Sequence, residues 1–212
     1  MRIAVVLYDF VEPIEIGILG TLSMAKRVDP TLTYFTVSEN GGMVELQNGL
    51  KVETDYSFKN APPSDVVIVT GGPGWKNQVK NERILSFLQS RRQETACIAS
   101  VCTGAMILAA AGLLDGKRAT TKVPVIEPEV CPLQTLEENH PSVHTMHALV
   151  VDEGEVITGG GVSLCVDLTL YLLERFLGET VADETARIME YGAARSANRK
   201  RLTTHIASSS SS

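Results

Sequence analysis

Three short runs of apolar residues each end in a turn and then pass straight into a helical pattern. RIAVVLY at 2–8 leads to Asp9–Glu15, VVIVT at 66–70 to Gly71–Gly74, and ACIASV at 96–101 to Cys102–Gly104. Apolar runs of this length without polar alternation read as strands buried on both faces. Strands that alternate with helices assemble into a parallel sheet covered on both sides. The expected fold class is therefore α/β: a single-domain, open, mostly parallel sheet with helices on both faces, a flavodoxin-like three-layer sandwich. In such sheets, sites lie outside the carboxyl ends of the strands. The three turns named above are where the chemistry is expected.

The rest of the chain fits around this frame. LTYFTV at 32–37 reads as a second strand. VELQ and LKVET flank Asn48-Gly49, a pair that suits a hairpin turn with positive φ at both central positions. A helical pattern runs from Ile14 to Ala25, with Pro13 near its start, where a missing N–H costs nothing. A polar helix is expected over 77–92. CTGAMILAAAGLL has strong helix formers and stops near Gly112 and Gly116. ALVVD and EVITG pair around Glu153-Gly154, an apolar helix spans Leu164 to Phe176, and Gly178 separates it from a last helix over about 180–190. Prolines at 124, 128, 132 and 141 cut 117–147 into turns and short pieces. The domain is assigned to 1–190. Residues 191–212 are expected to form a flexible extension. Its basic stretch Arg195–Arg201 reads as a solvated helix face, and its Ser-rich tail cannot pack.

Composition excludes several classes. The 212 residues suit one domain with a substantial core. The net charge is −6 without basic clusters elsewhere, which argues against nucleic acid or an anionic membrane as the main partner. No apolar run reaches the ~18 residues of a membrane span, and the N-terminus lacks a secretion-signal pattern. A soluble, cytoplasmic protein is expected. Cys97, Cys102, Cys131 and Cys165 show no metal-ligand spacing and read as free thiols. His144 and His147, on a strand, would point to opposite faces and make a poor zinc pair. No metal and no cofactor are expected.

Cys102 is the leading functional candidate. Its strand-to-helix turn would lift the side chain above the sheet edge, as a nucleophile elbow does for serine. A helix N-terminus there is expected to favour the thiolate and lower the thiol pKa. Cys97 lies in an apolar strand and Cys165 in an apolar helix, where thiols fill space. Glu12 and Glu15 follow the first strand. A carboxyl buried beside a thiolate is driven toward its protonated form and can exchange a proton with sulfur. Spacing leaves Glu15 open between that role and helix-dipole complementation, and assigns Glu12 to the latter. The N–H groups of Gly72 and Thr103 would form an oxyanion hole, although a tight turn explains GGPG equally well. Gly159–Gly161 lacks the Lys-Ser/Thr of a phosphate loop and reads as a packing turn. His140, His144, His147 and His205 sit beside no strand-end turn, so no Cys–His dyad is supported.

Four segments together resemble the ThiJ/PfpI superfamily, which has the class I glutamine amidotransferase-like fold. They are VVLYDFVEPIE, VVIVTGGPG, IASVCTGAMILAAAGLLDGKRATT and VITGGGVSLCVDLTLYLLE. The likeness runs from about residue 2 to about 190. The third segment is the most specific and is similar to the branch holding isocyanide hydratases and the sensor domains of AraC-type regulators. The resemblance implies that Cys102 is the nucleophile, Glu15 the acid, and Gly72 and Thr103 the oxyanion donors. Three positions, one of them a residue pair, depart from known branches. Glu15 stands where the hydratase pattern has Asp, Lys122-Val123 where that branch has His-Trp, and Thr103 where the peptidase branch has His.

The implied activity is a cysteine-dependent attack on a small electrophilic carbon, with isocyanide hydration (a lyase reaction) first. Alternatives are hydrolysis of a cyclic imide or small amide, and a glyoxalase-like reaction. An alternative of another class is a non-catalytic redox or ligand sensor in which Cys102 oxidises reversibly. The resemblance also implies a small-molecule substrate and a homodimer. The regulators carry a C-terminal helix-turn-helix domain, which the roughly 20 residues after 190 are too few to supply. The pocket walls are expected from loops near 16–20, 75 and 122–147.

Overall fold

The apolar runs satisfy their backbone groups chiefly by pairing side by side. The computed structural model describes residues 1–207. The chain begins with β1 (Arg2–Val6), a 3₁₀ turn at Pro13–Ile16 and α1 (Gly17–Val28), then β2 (Thr33–Ser38). Next come β3 (Gly42–Glu45), β4 (Lys51–Thr54), β5 (Tyr56–Ser57), β6 (Val66–Val69), α2 (Trp75–Gln78) and α3 (Glu82–Arg92). The elbow joins β7 (Cys97–Ser100) to α4 (Gly104–Ala110). After β8 (Arg118–Ala119), α5 (Pro132–Asn139) and β9 (His144–Thr145) come β10 (Val150–Asp152) and β11 (Val156–Gly159). The last elements are α6 (Cys165–Leu177), α7 (Glu179–Ile188), α8 (Gly192–Arg201) and β12 (Thr204–Ile206).

The main sheet has the order β12-β10-β11-β7-β6-β1-β2-β5. Its pairs are parallel apart from β10–β11, which is antiparallel as the Glu153-Gly154 turn implies. The central strands β1, β6 and β7 are buried almost throughout. Helices α1, α6 and α7 pack together, and α2, α3 and α4 form a second group, which gives the three-layer α/β architecture. The β3–β4 hairpin stands apart from the sheet and is closed by Gly49 at φ 85°. It docks on the turn after β1, where Phe10 N–H donates to Glu45 O at 2.7 Å and Gln47 N–H to Val11 O at 3.0 Å.

Three regions differ from the sequence expectation. The helix expected over 77–92 is two helices, because Asn81 caps α3 by accepting from Arg83 N–H at 3.1 Å. The proline-rich stretch 117–147 holds α5, with Pro132 at its start, and the short parallel pair β8–β9. The extension after 190 is built into the fold as far as residue 207. Helix α8 packs on α7, and β12 adds an edge strand beside β10. Arg195 is buried at 6% exposure, not solvated, because Glu174 and Asp183 meet its guanidinium. The remaining Ser tail lies outside the described residues. No helix among the described residues is long and apolar enough to cross a membrane.

Candidate active site

The three strand-end turns converge. Cys102 follows β7 with φ 50°, a left-handed conformation that a non-glycine residue holds only when its surroundings impose it. The surroundings fasten both of its backbone groups. Its N–H donates to Gly160 O at 3.2 Å, and its carbonyl accepts from the Thr121 hydroxyl at 2.5 Å. The chain turns sharply here and enters α4, the elbow that the sequence implies.

Glu15 lies beneath the thiol. It is fully buried at 0% exposure, and its Oε2 accepts from Gly71 N–H. The carboxyl and the Cys102 thiol are electrostatically coupled: the thiol lowers the Glu15 pKa, and the Glu15 charge raises that of the thiol. Glu15 Oε1 has no hydrogen-bond partner among the described residues, so its coupling to the thiol is electrostatic here; in catalytic sites such contacts tighten to hydrogen bonds when substrate binds. Burial pushes the Glu15 pKa from 4.5 up to about 8, against the lowering pull of Gly71 N–H and the thiol. The carboxyl is therefore largely protonated at neutral pH, in the direction expected from the sequence.

The thiol departs from expectation. A lowered pKa is predicted from the helix dipole, yet burial and the Glu15 charge raise it well above the ordinary thiol value. Helix α4 is only seven residues long and the thiol lies nearly out of water, so the dipole is outweighed. Thr103, through its N–H and its hydroxyl, pulls the thiol the other way. When Glu15 is neutral, the like-charge cause disappears and only burial opposes the thiolate.

The expected oxyanion donors are placed unequally. Thr103 N–H favours the Cys102 thiolate, lowering the thiol pKa against the effect of burial. Gly72 N–H donates to Thr103 Oγ1 at 2.8 Å, and that hydroxyl donates back to Gly72 O at 3.3 Å, so the Gly72 donor is occupied within the protein. Gly72 is needed as glycine: its φ is 133°, and a Cβ would lie 2.3 Å from Glu12 N. Gly161, read as part of a packing turn, also belongs to the site. A Cβ there would lie 2.7 Å from Cys102 Sγ and 2.9 Å from Lys122 Cβ. Its bare backbone makes room for the thiol.

A cavity of about 700 Å³ opens above Cys102. Trp75, Pro73, Val130 and Val162 give it apolar walls, and Gln47, Glu12, Lys76, Lys122 and Glu129 add polar groups. The expected walls near 75 and in 122–147 are present. The 16–20 loop is absent from the lining; the hairpin supplies Gln47 instead. Glu12, assigned to the helix dipole, lines the cavity. No histidine lines it among the described residues. Tyr8 escapes notice in the sequence because it reads as part of an apolar strand. Its hydroxyl donates to Thr70 O at 2.8 Å, and burial followed by the Glu15 and Cys102 charges keeps it un-ionised.

An open α/β sheet carrying a cysteine at a strained elbow over a buried carboxyl defines a class of protein. Residues 1–175 match the DJ-1/PfpI family model, and the chain belongs to that family. It is 32% identical over 156 residues to isonitrile hydratase of Pseudomonas putida, covering 71% of this chain and 62% of that protein. It is 30% identical over 172 residues to the HTH-type transcriptional regulator GbdR of Pseudomonas aeruginosa, covering 80% of this chain and 45% of that one. The chain thus spans less than two thirds of the length of either relative. A crystal structure of a ThiJ/PfpI family protein from Pseudomonas syringae superposes with a TM-score of 0.76 at 24% identity, over 90% of this chain and 74% of that one.

Proposed function

We propose that this protein is a cysteine-dependent enzyme acting on a small electrophilic carbon, with isocyanide hydration as its reaction. The observation that carries the reading is a buried Glu15 coupled to Cys102 at a strained elbow, facing a cavity large enough for a small molecule. The likeness to isonitrile hydratase supports the choice of reaction. Catalysis needs the pair to hold a single proton. The Cys102 sulfur attacks the terminal carbon of the isocyanide while that proton passes through Glu15 to the same carbon. The S–C and C–H bonds form, one carbon–nitrogen π bond is lost, and a thioimidate results. Water then adds to the thioimidate carbon and the thiol leaves with a proton, giving an N-formyl amine. The pair behaves as one unit, and its first deprotonation lies near the raised Glu15 value of about 8. Turnover is therefore expected to rise with pH through that region.

That no histidine lines the cavity among the described residues favours this chemistry over peptide hydrolysis, which ordinarily needs a base beside the thiol. Hydrolysis of small amides and glyoxalase-like reactions use the same two groups. The deciding experiment compares wild type with Cys102→Ala on a panel of isocyanides, cyclic imides and methylglyoxal. Formyl-amine production that needs Cys102 supports the proposal, and no Cys102-dependent turnover on any of them removes it. A second reading, a ligand or redox sensor, is favoured by the likeness to GbdR over most of the chain. It predicts no turnover together with reversible oxidation of Cys102. A homodimer in the cytoplasm completes the proposal, and light scattering on the purified protein measures the assembly.

A further inference from the structure

We propose that Lys122 recognises a carboxylate on the substrate, so that the cavity selects small electrophiles carrying a negative charge. This rests on the reading of Cys102 as the nucleophile. Lys122 is one of four charged residues on the cavity lining, with Glu12, Lys76 and Glu129. Its stem begins beside the thiol: a Cβ at Gly161 would collide with both Cys102 Sγ and Lys122 Cβ. Its charge is felt by Glu15. The side chain is mostly buried, which fixes where the ammonium can reach.

At present the ammonium is held by a carboxylate from the protein itself. Lys122 Nζ donates to Glu129 Oε1 at 2.7 Å and to Oε2 at 2.9 Å. The two partners differ in their freedom. Glu129 is about twice as exposed as Lys122 and lies on the stretch between β8 and α5 that has no helix or strand. An ion pair with one solvent-facing partner is weak and easily exchanged. A substrate carboxylate can take the place of Glu129 while Glu129 turns to water. The lysine is then never left buried and unpaired, which is the costly state. A neutral substrate gains nothing from this exchange, so the device discriminates by charge.

Alkylation of Cys102 tests this without any need for turnover. Iodoacetate and iodoacetamide react in the same way: the sulfur forms an S–C bond and iodide leaves. They differ only in the charge of the small tail. The readout is the ratio of the two rates at Cys102, followed by peptide mass spectrometry and divided by the same ratio for free glutathione. General changes in thiol reactivity cancel in this ratio. Wild type is expected to favour iodoacetate by about five-fold, the size of one partly exposed ionic contact. Glu129→Gln, which frees the ammonium, is expected to raise the preference. Lys122→Met is expected to abolish it and Lys122→Arg to keep it. A wild-type ratio equal to glutathione overturns the inference, as does a preference that survives Lys122→Met. If the lysine variants fail to fold, Glu129→Gln tests the exchange by an independent route, and a preference that it leaves unraised overturns the inference. A Cys102 inert to both reagents removes the nucleophile reading itself, a result distinct from equal ratios.

Discussion

The elbow and the C-terminal edge of the sheet both bury ionisable groups, and they treat them in opposite ways. At the edge, Asp152 is buried and receives the Tyr171 hydroxyl at 2.6 Å and the Arg175 guanidinium at 2.9 Å. Arg195, equally buried, lies against Glu174 and Asp183. Asp167 lies between the two cases: it accepts from Tyr191 at 2.8 Å and from Asn198 at 2.9 Å, yet burial still raises its pKa. At the elbow, Glu15 is the most deeply buried of these carboxyls and touches no cation. It has one backbone N–H and a thiol. A buried charge answered by opposite charges holds elements together. One left without a counter-charge keeps its proton and remains available for chemistry.

The comparison breaks first at Cys102. Cys102→Ala removes the group that forms the covalent bond, and turnover should fall on the order of 10³-fold or more. Folding should survive, because the change removes a single sulfur atom that faces an open cavity. Urea unfolding together with a product assay checks both halves. Retained turnover would show that the elbow is packing alone.

Glu15→Gln comes next. The amide keeps shape and hydrogen bonds but cannot carry a proton to carbon, and turnover should drop by about 10²- to 10⁴-fold. Stability should move the other way. Below 4.5, Glu15 is protonated whether folded or unfolded, so the full stability is present. Between 4.5 and about 8 only the unfolded chain ionises there, so stability falls as pH rises, and above about 8 the loss is complete. Gln is free of this slope. Relative to wild type the variant should gain on the order of 5 kcal/mol across that window. Parallel pH–stability curves for the two proteins would mean that Glu15 titrates in the folded state as it does in the unfolded chain.

Arg195→Ala attacks the other region. It strips the shared cation from Glu174 and Asp183, both partly exposed, and should cost about 1–3 kcal/mol, less than a fully buried pair. Turnover per folded molecule should not change, because α8 contributes nothing to the cavity. A selective loss of turnover at unchanged stability would erase the distinction between the regions.

The two regions are also unequally legible in the sequence. The elbow announces itself because an apolar strand, a cysteine, a glycine and a helix follow one another, and each has a local meaning. The sheet and the convergence of its three turns follow from the same local logic. The direction of the thiol pKa does not follow, because it depends on burial and on Glu15, 87 residues away in the chain. The edge is nearly opaque. Arg195 reads as one more surface charge in a basic run, and nothing local says that Glu174 and Asp183 will close over it. Strand β12 is three residues, too short for any alternation to register. The cavity wall from 122 to 135 is hidden by its prolines, which mark turns without saying what the turns enclose.

The smallest effects belong to Cys97 and Cys165, which sharpen the comparison inside one residue type. All three thiols are buried and burial raises each, with Cys97 and Cys165 pushed up to about 12. The difference is what lies over them. Cys102 opens on the cavity. Cys97 sits within the central sheet, and Cys165 packs under the 3₁₀ turn that precedes α1, where its thiol donates to Ile14 O at 3.7 Å. Replacing either by alanine should cost about 1 kcal/mol of packing, near the ordinary effect of a conservative core change. The Cys102 alkylation rate and its pH profile should stay as in wild type. Cys165 is the more searching case, because the Glu15 charge is the second-largest cause raising its pKa. A Cys165→Ala protein whose Cys102 profile shifts would place that thiol in the same proton-sharing unit as Glu15. An unchanged profile confines the unit to the elbow.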